Sequence, residues 1–230
     1  VSGDSIIGFA HTHLSGTGCS DLGDITLMPI YGYARTESRE DFINAIASRY
    51  THEKEVVEPG YYSVLLDKWS IKAEMTATDR TAIHKFTFPK GNRYANVVLD
   101  LEGGVGDRVT ETRIWAQDMF TLVGSRASRA RTNHIVYYAL RFDRPVKEFV
   151  MDCIDARYCQ AIFEVDPGTV VQAQVAISPV SEAGALANLQ VEQYQKDFAA
   201  IRSEAKDRWN KELGRIRAKF DSPRDSTIFY

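Results

Sequence analysis

Alternation between apolar and polar residues dominates the first three quarters of the chain. In the run from Ile71 to Thr78, apolar residues occupy every second position, and the run from Val171 to Ile177 repeats the pattern. A period of two places successive side chains on opposite faces of a strand. Each run therefore predicts an antiparallel strand with one buried face and one hydrated face.

Further short segments combine β-branched and aromatic residues and are bounded by Gly, Pro, Asn or Asp, which is typical of strands separated by turns. They are Tyr62–Leu66, His84–Phe88, Ala95–Leu101, Ile135–Phe142 and Ala161–Val165. Many short strands separated by turns indicate a sandwich or a barrel rather than a βαβ protein. The segment from Arg39 to Ser48 is compatible with one short helix.

The spacing of apolar residues changes near residue 180. From Ser181 to about Ile216 most steps between apolar residues are three or four, which is the spacing of a helical stripe. Ser181 is a suitable N-cap. One helix over this segment would be about 50 Å long, which is more than is needed to cover one sheet. The sequence therefore predicts a long amphipathic linker helix, with Trp209 packed on its apolar stripe.

The composition excludes several classes of protein. The 230 residues include 28 Lys and Arg against 31 Asp and Glu, and 44% of them are hydrophobic. These values are typical of a globular protein and not of a disordered one. A nucleic-acid-binding domain would carry a clustered excess of basic residues. No apolar run approaches the ~18 residues of a membrane-spanning helix. We therefore expect no nucleic-acid partner and no membrane span.

The three cysteines are too few for a disulfide scaffold. Cys153 and Cys159 flank a plausible hairpin, so they could pair across it in an oxidising compartment. The alternative is that both are reduced residues of the core. Cys19 is left over in either case.

The segment from Ile7 to Asp24 is too polar and too rich in glycine for a core strand. Six of the fifteen glycines of the chain fall within its first 32 residues. Glycine permits positive φ angles and a close approach of the backbone to another group, and loops that carry function often have this character. The segment is not a P-loop, because it lacks the Gly-Lys-Ser/Thr sequence.

His11 and His13 lie two positions apart, so on a strand both imidazoles would face the same side and could ligate one metal ion. No third ligand is evident, and the alternative is that they form hydrogen bonds that support a neighbouring site. Asp21 and Asp24 could be paired catalytic carboxylates, although such residues in turns more often accept backbone hydrogen bonds. The acidic segment from Asp100 to Asp107 lacks EF-hand spacing and predicts a solvated hairpin.

A set of ordered segments resembles a known family. Residues 6–18 read IIGFAHTHLSGTG and are followed by Asp21-Leu22-Gly23-Asp24. Later segments are Pro59–Val64, Ile71–Arg80, Gly124–Ser128, Ala187–Leu189 and Trp209–Leu213. Together they resemble the amino-terminal domain of glycoside hydrolase family 92, which contains exo-acting α-mannosidases. Two positions depart from the family pattern: Ala10 replaces a Ser, and Ser125 replaces a Tyr.

The resemblance implies a β-supersandwich, a helical linker and an (α/α)6 barrel, which perform calcium-dependent hydrolysis with inversion. It places a sandwich truncated at its start over residues 1–180, a linker over 181–218 and the start of a missing barrel over 219–230. Inverting glycosidases use two carboxyl groups ~6.5–9.5 Å apart. In this family both groups and most Ca²⁺ ligands belong to the barrel. We therefore expect no catalytic residue and no metal ligand here, and an inactive isolated chain.

The resemblance also implies that the β domain packs on the barrel of the same polypeptide and forms one wall of the mannose pocket. The candidates for contact with substrate or with that interface are His11, His13, Ser15, Cys19, Asp21 and Arg126. Trp69 and Trp115 offer aromatic faces that suit a pyranose ring. The expected substrates are α-mannoside glycans such as N-glycans or yeast mannan, and the expected location is the periplasm or the exterior of a bacterium.

Two other functions remain open. One is a stand-alone carbohydrate-binding β-sandwich, although a free domain has no use for a connector about 50 Å long. The other is a metalloenzyme built on His11 and His13, which would need a third His, Asp or Glu at the same point. Linkage specificity and oligomeric state stay open at this stage.

Overall fold

The computed structural model describes residues 5–14, 18, 21–34, 38–89, 94–151, 156–193 and 196–229. Its strands are β1 (Ser5–Ile6), β2 (Thr26–Tyr31), β3 (Ser48–Arg49), β4 (Glu55–Glu58), β5 (Tyr61–Leu66), β6 (Ile71–Ala77), β7 (Thr81–Phe88), β8 (Tyr94–Asp100), β9 (Arg108–Ala116), β10 (Thr121–Arg129), β11 (Asn133–Phe142), β12 (Glu148–Met151), β13 (Tyr158–Glu164) and β14 (Thr169–Ser178). Its helices are α1 (Arg39–Ile46), α2 (Glu182–Gln193), α3 (Phe198–Leu213) and α4 (Pro223–Phe229), with a 3₁₀ turn at His52–Lys54. The predicted mainly β fold and the short helix after Ser38 are confirmed.

Two antiparallel sheets share the main core. The larger has the strand order β4-β5-β6-β7-β14-β11-β10-β9, and the smaller has the order β12-β13-β8-β2. Both contribute apolar side chains to one buried cluster. Phe142 of the larger sheet and Phe163 of the smaller one meet there edge to face, with 5.0 Å between ring centroids. This is a β-sandwich, and the period-two patterning produces it by placing one apolar face of each sheet inward.

Helix α2 covers the other face of the larger sheet, mainly over its central strands β14 and β11. Its residues Ala185 and Leu189 pack with Val123, Ala139 and Ala176 in a cluster that is separate from the main core. These three strand residues alternate with neighbours that belong to the main core. The outer face is therefore apolar as well, and α2 removes it from water.

Helix α3 covers the same outer face over the neighbouring strands β5, β6 and β7. Phe198 and Ile201 pack there with Tyr61 and Ile83. The predicted single helix from Ser181 to about Ile216 is thus divided into α2 and α3. Asp197 caps the second helix by accepting a hydrogen bond from the amide of Ala200 at 2.8 Å.

The division has two consequences for the linker prediction. Both helices lie on the sheet instead of forming one rod. Trp209, predicted to be packed, is 49% exposed at the carboxyl-terminal part of α3. The proposed boundaries at residues 180 and 218 stay predictions, and none of the described helices is long and apolar enough to cross a membrane.

Candidate functional site

The glycine-rich segment forms a loop whose two ends are joined by backbone hydrogen bonds. The amide of Phe9 donates to the carbonyl of Leu27 at 2.9 Å, and the reverse bond measures 3.1 Å. One step further out, the amide of His11 donates to the carbonyl of Asp24 at 3.0 Å. The ladder therefore ends at residues 12 and 23, and the segment between them is called the glycine-rich loop below.

Side chains of Thr12 and Asp24 close the neck of this loop. The Thr12 hydroxyl donates to Asp24 Oδ2 at 2.7 Å and accepts from the Asp24 amide at 2.8 Å. Leu22 and Ile25, on either side of this contact, have φ angles of 67° and 54°. Non-glycine residues rarely adopt this left-handed conformation, so the surrounding contacts must hold it.

Arg126 of β10 lies directly behind the neck. Its Nη1 donates to Asp24 Oδ1, and its Nη1 and Nη2 donate to Asp107 at 2.8 and 3.1 Å. Its Nε donates to the carbonyl of Leu101 at 2.8 Å. Burial alone would lower the pKa of Arg126, but its hydrogen bonds with Asp107 and the charge of Asp24 raise it. The guanidinium is therefore a charged group that is fully buried.

The segment from Asp100 to Asp107 is not the solvated hairpin that the sequence predicts. Asp100 is 3% exposed and accepts two hydrogen bonds from Arg39, at 2.9 and 2.6 Å. Asp107 is buried against Arg126. A Cβ on residue 104 would lie 2.0 Å from Asp107 Oδ1, so a larger residue than glycine at this position would displace the Asp107 carboxylate. The two terminal carboxylates of this segment thus face inward, and each is paired with an arginine.

Asp21 anchors the far side of the loop. It is 2% exposed and accepts hydrogen bonds from the Thr132 hydroxyl at 2.9 Å and from the Thr132 amide at 3.1 Å. The hydroxyl bond from Thr132 is the main cause that lowers the pKa of Asp21. Asp21 is therefore an ionised acceptor that fixes this end of the loop to the turn between β10 and β11.

The side chain of His11 points into the sandwich. Its Nδ1 donates to the carbonyl of Ile25, and its Nε2 lies 2.8 Å from Nε2 of His84. Burial lowers the pKa of His11 to about 4 and places that of His84 well below its ordinary value. Both imidazoles are therefore neutral, and one hydrogen bond joins them, in which His84 Nε2–H donates to His11 Nε2.

His13 differs from His11, since its side chain is exposed. The two histidines therefore do not meet at one point, as a shared metal ion would require. Among the described residues, no three His, Cys, Asp or Glu side chains lie close enough together to hold a metal ion. Ser15 and Cys19 lie outside the described residues, as does Cys153, while Cys159 is a buried free thiol.

Trp69 and Trp115 do not share a platform. Trp69 lies in the turn between β5 and β6, where it packs partly buried against the main core. Trp115 lies on the edge strand β9 and donates from Nε1 to Glu182 at 3.2 Å. Four strands of the larger sheet lie between β6 and β9, so one pyranose ring cannot contact both residues.

Comparison with models of known protein families shows to which family the chain belongs. Residues 1–178 match the model of the glycosyl hydrolase family 92 N-terminal domain. The chain belongs to glycosyl hydrolase family 92. Residues 184–230 match the model of the family 92 catalytic domain, beginning inside α2.

Solved structures of family 92 share this fold. The α-mannosidase BT3965 from Bacteroides thetaiotaomicron is 28% identical, with a TM-score of 0.85 over 95% of this chain and 32% of its own. The family 92 glycosyl hydrolase ccman5 is 28% identical, with a TM-score of 0.79 over 94% of this chain and 31% of its own.

A curated relative from Arthroderma benhamiae is described as an uncharacterized secreted glycosidase. It is 24% identical to this chain and is matched over 95% of this chain and 33% of its own length. The chain thus spans about a third of the length of the family 92 relatives it matches.

Proposed function

We propose that this chain is the non-catalytic amino-terminal part of an exo-acting α-mannosidase of family 92. The similarity to the α-mannosidase BT3965 over 95% of the chain carries this proposal. BT3965 has also been solved in complex with mannoimidazole. The proposed substrates are terminal α-mannosides of glycans such as N-glycans or mannan.

In this proposal the glycine-rich loop forms one wall of the mannose pocket, on the side where the β domain packs against the catalytic barrel. Asp21 and Asp24, which anchor the loop to the sandwich, are buried, whereas His13 near the start of the loop is exposed. An imidazole held on a fixed loop can exchange hydrogen bonds with sugar hydroxyls. His13 is therefore the described residue that we assign to contact with the sugar.

The acid and the base of the reaction belong, in this proposal, to the rest of the polypeptide. Inversion needs a carboxylic acid and a carboxylate that both reach the glycosidic bond. In the described part of the loop region, Asp21, Asp24 and Asp107 are each buried and accept hydrogen bonds from Thr132 or Arg126. Carboxylates engaged in this way are closed to water and cannot reach a glycosidic bond.

Calcium dependence is likewise proposed for the full-length polypeptide and not for this chain. Ca²⁺ takes six to eight oxygen ligands, but Asp24, Asp100 and Asp107 are paired with arginines. The Asp21 carboxylate accepts hydrogen bonds from Thr132. The described residues thus do not fit a calcium site. We derive no step of the reaction through the metal ion.

We propose that the protein acts in the periplasm or outside a bacterial cell. The secreted relative from Arthroderma benhamiae supports an extracellular location. The small formal charge of −3 suits a neutral substrate, because a neutral sugar gains nothing from electrostatic steering.

The full-length polypeptide tests the proposed function. It should release mannose from an aryl α-mannoside, and ¹H NMR of the first product should show the β anomer, because inversion reverses the configuration at the anomeric carbon. The α anomer as first product would contradict inversion. Hydrolysis of an aryl α-glucoside without hydrolysis of the mannoside would contradict the proposed substrate.

A further inference from the structure

The hydroxyl of Thr12 makes all its described hydrogen bonds to the far end of the glycine-rich loop. It contacts the Gly23 amide at 3.2 Å, the Asp24 amide at 2.8 Å and Asp24 Oδ2 at 2.7 Å. These partners lie eleven and twelve positions along the chain. The hydroxyl therefore reinforces the backbone hydrogen bonds that close the neck, and the exposed His13 follows Thr12 directly in the chain.

Arg126 joins the neck to two other parts of the sandwich. Its guanidinium contacts Asp24 at the neck, Asp107 in the segment before β9, and the carbonyl of Leu101. An arginine offers five donors in a rigid planar fork, so it can hold three partners in a fixed arrangement. Lysine has one nitrogen on a flexible stem and cannot reproduce this geometry.

The Asp24 carboxylate lies in a buried polar network. Its carboxylate, which is fully buried, contacts Arg126, Thr12 and Nε2 of His134, the last at 3.1 Å. A buried ionic network often contributes no more to stability than packed apolar residues of the same volume. What such a network does supply is directionality, because each hydrogen bond fixes an angle as well as a distance.

We propose that Thr12 and Arg126 are positioning residues, which fix the neck of the loop so that His13 faces the sugar. Neither side chain touches substrate: Arg126 acts through Asp24, and Thr12 acts on the loop neck itself. The inference rests on the proposed function only in naming a mannose unit as the sugar.

The experiment uses Thr12→Val in the full-length polypeptide, because this nearly isosteric change removes the hydroxyl and leaves Arg126 in place. We expect KM for an aryl α-mannoside to rise about tenfold, since small displacements of binding groups cost at least this much. Hydrogen exchange of backbone amides in residues 18–24 should become faster. Thr12→Ser should restore both values, because it retains the hydroxyl.

The matched control is Thr76→Val. The Thr76 hydroxyl donates to the carbonyl of Gly60 at 2.6 Å, so its described hydrogen bond does not involve the loop neck. This control should lower thermal stability without changing KM or loop exchange. A Thr12→Val protein with wild-type KM and wild-type exchange would overturn the inference, as would Thr76→Val raising KM to the same extent.

Failure of the proposed function is distinguishable from failure of the positioning role. A wild-type polypeptide without α-mannosidase activity contradicts the proposed function. In that case unchanged exchange in Thr12→Val overturns the positioning role, and faster exchange that Thr12→Ser reverses supports it.

Discussion

Arg126 and Asp24 are 102 positions apart in sequence, yet Nη1 of the arginine donates directly to Oδ1 of the aspartate, and neither side chain is exposed. This contact joins β10 to the neck of the glycine-rich loop. A second carboxylate, that of Asp107, shares the same guanidinium. Removing the arginine would therefore leave two buried carboxylates without their cation.

We expect Arg126→Met to lower the free energy of unfolding by about 3–5 kcal/mol, because breaking a buried ion pair leaves an uncompensated charge. The control is Arg208→Met. Arg208 pairs with Asp79 at 2.5 Å, but both side chains are more than half exposed, so its loss should lower the free energy of unfolding far less than the loss of Arg126. Urea denaturation of the chain measures both values. If both variants lost the same free energy of unfolding, the buried ion pair would contribute no more to stability than the exposed one.

The His11–His84 pair predicts a loss of stability in acid. The pKa of His11 is about 4 in the folded chain, below the ordinary value of about 6.5 expected when the chain is unfolded. Between these values the unfolded state binds a proton that the folded state does not. The free energy of unfolding should therefore be fully retained above pH ~6.5 and fall as the pH is lowered towards 4.

Replacing His11 by Asn tests this explanation, because the amide can still donate to the carbonyl of Ile25. The dependence of Tm on pH between about 4 and 6.5 should become flatter, as measured by circular dichroism. His52→Asn is the control, since the His52 side chain is 83% exposed. If both variants retain the wild-type slope, His11 is not the titrating group.

His13 is expected to act on the substrate and not on the fold. In the full-length polypeptide, His13→Ala should lower kcat/KM for an aryl α-mannoside by more than about tenfold, which is ~1.4 kcal/mol of transition-state stabilisation. Its Tm should stay unchanged because the side chain is exposed. A fall in Tm with unaltered kcat/KM would instead make His13 a structural residue.

We expect a chelator to affect mannoside hydrolysis by the full-length polypeptide but not the stability of this chain. EDTA should abolish mannoside hydrolysis by the full-length polypeptide, and added Ca²⁺ should restore it. The Tm of the 230-residue chain should not respond to EDTA, because its described residues form no cluster of three metal-binding side chains. A chelator-dependent drop in the Tm of the chain would place a structural metal within it.

Local patterns were sufficient to predict the β-sandwich, because a period of two is visible within any single strand such as Ile71–Ala77. The glycine content likewise singled out the loop before Asp24. The division between α2 and α3 was missed because the apolar spacing continues across it. Only the packing of each helix on the larger sheet shows that the stripe belongs to two helices.

The interior of the candidate site could not be predicted in the same way. His84 is 73 positions from His11, and in sequence it is an ordinary residue of a strand. Arg126 lies in one of the segments that resemble the family. The residues next to it in sequence do not indicate that its charge is buried between Asp24 and Asp107. Long-range pairing of polar groups leaves no periodic signal in one sequence, so such partners emerge only from the fold.

The central claim is that this chain supplies a wall of the mannose pocket while the chemistry belongs to the rest of the polypeptide. The most direct test compares hydrolysis of an aryl α-mannoside, in the presence of Ca²⁺, by the 230-residue chain and by the full-length polypeptide at equal concentration. The account predicts turnover by the full-length polypeptide and none by the chain. Turnover by the chain alone would contradict it, because an acid and a base would then have to lie within these residues.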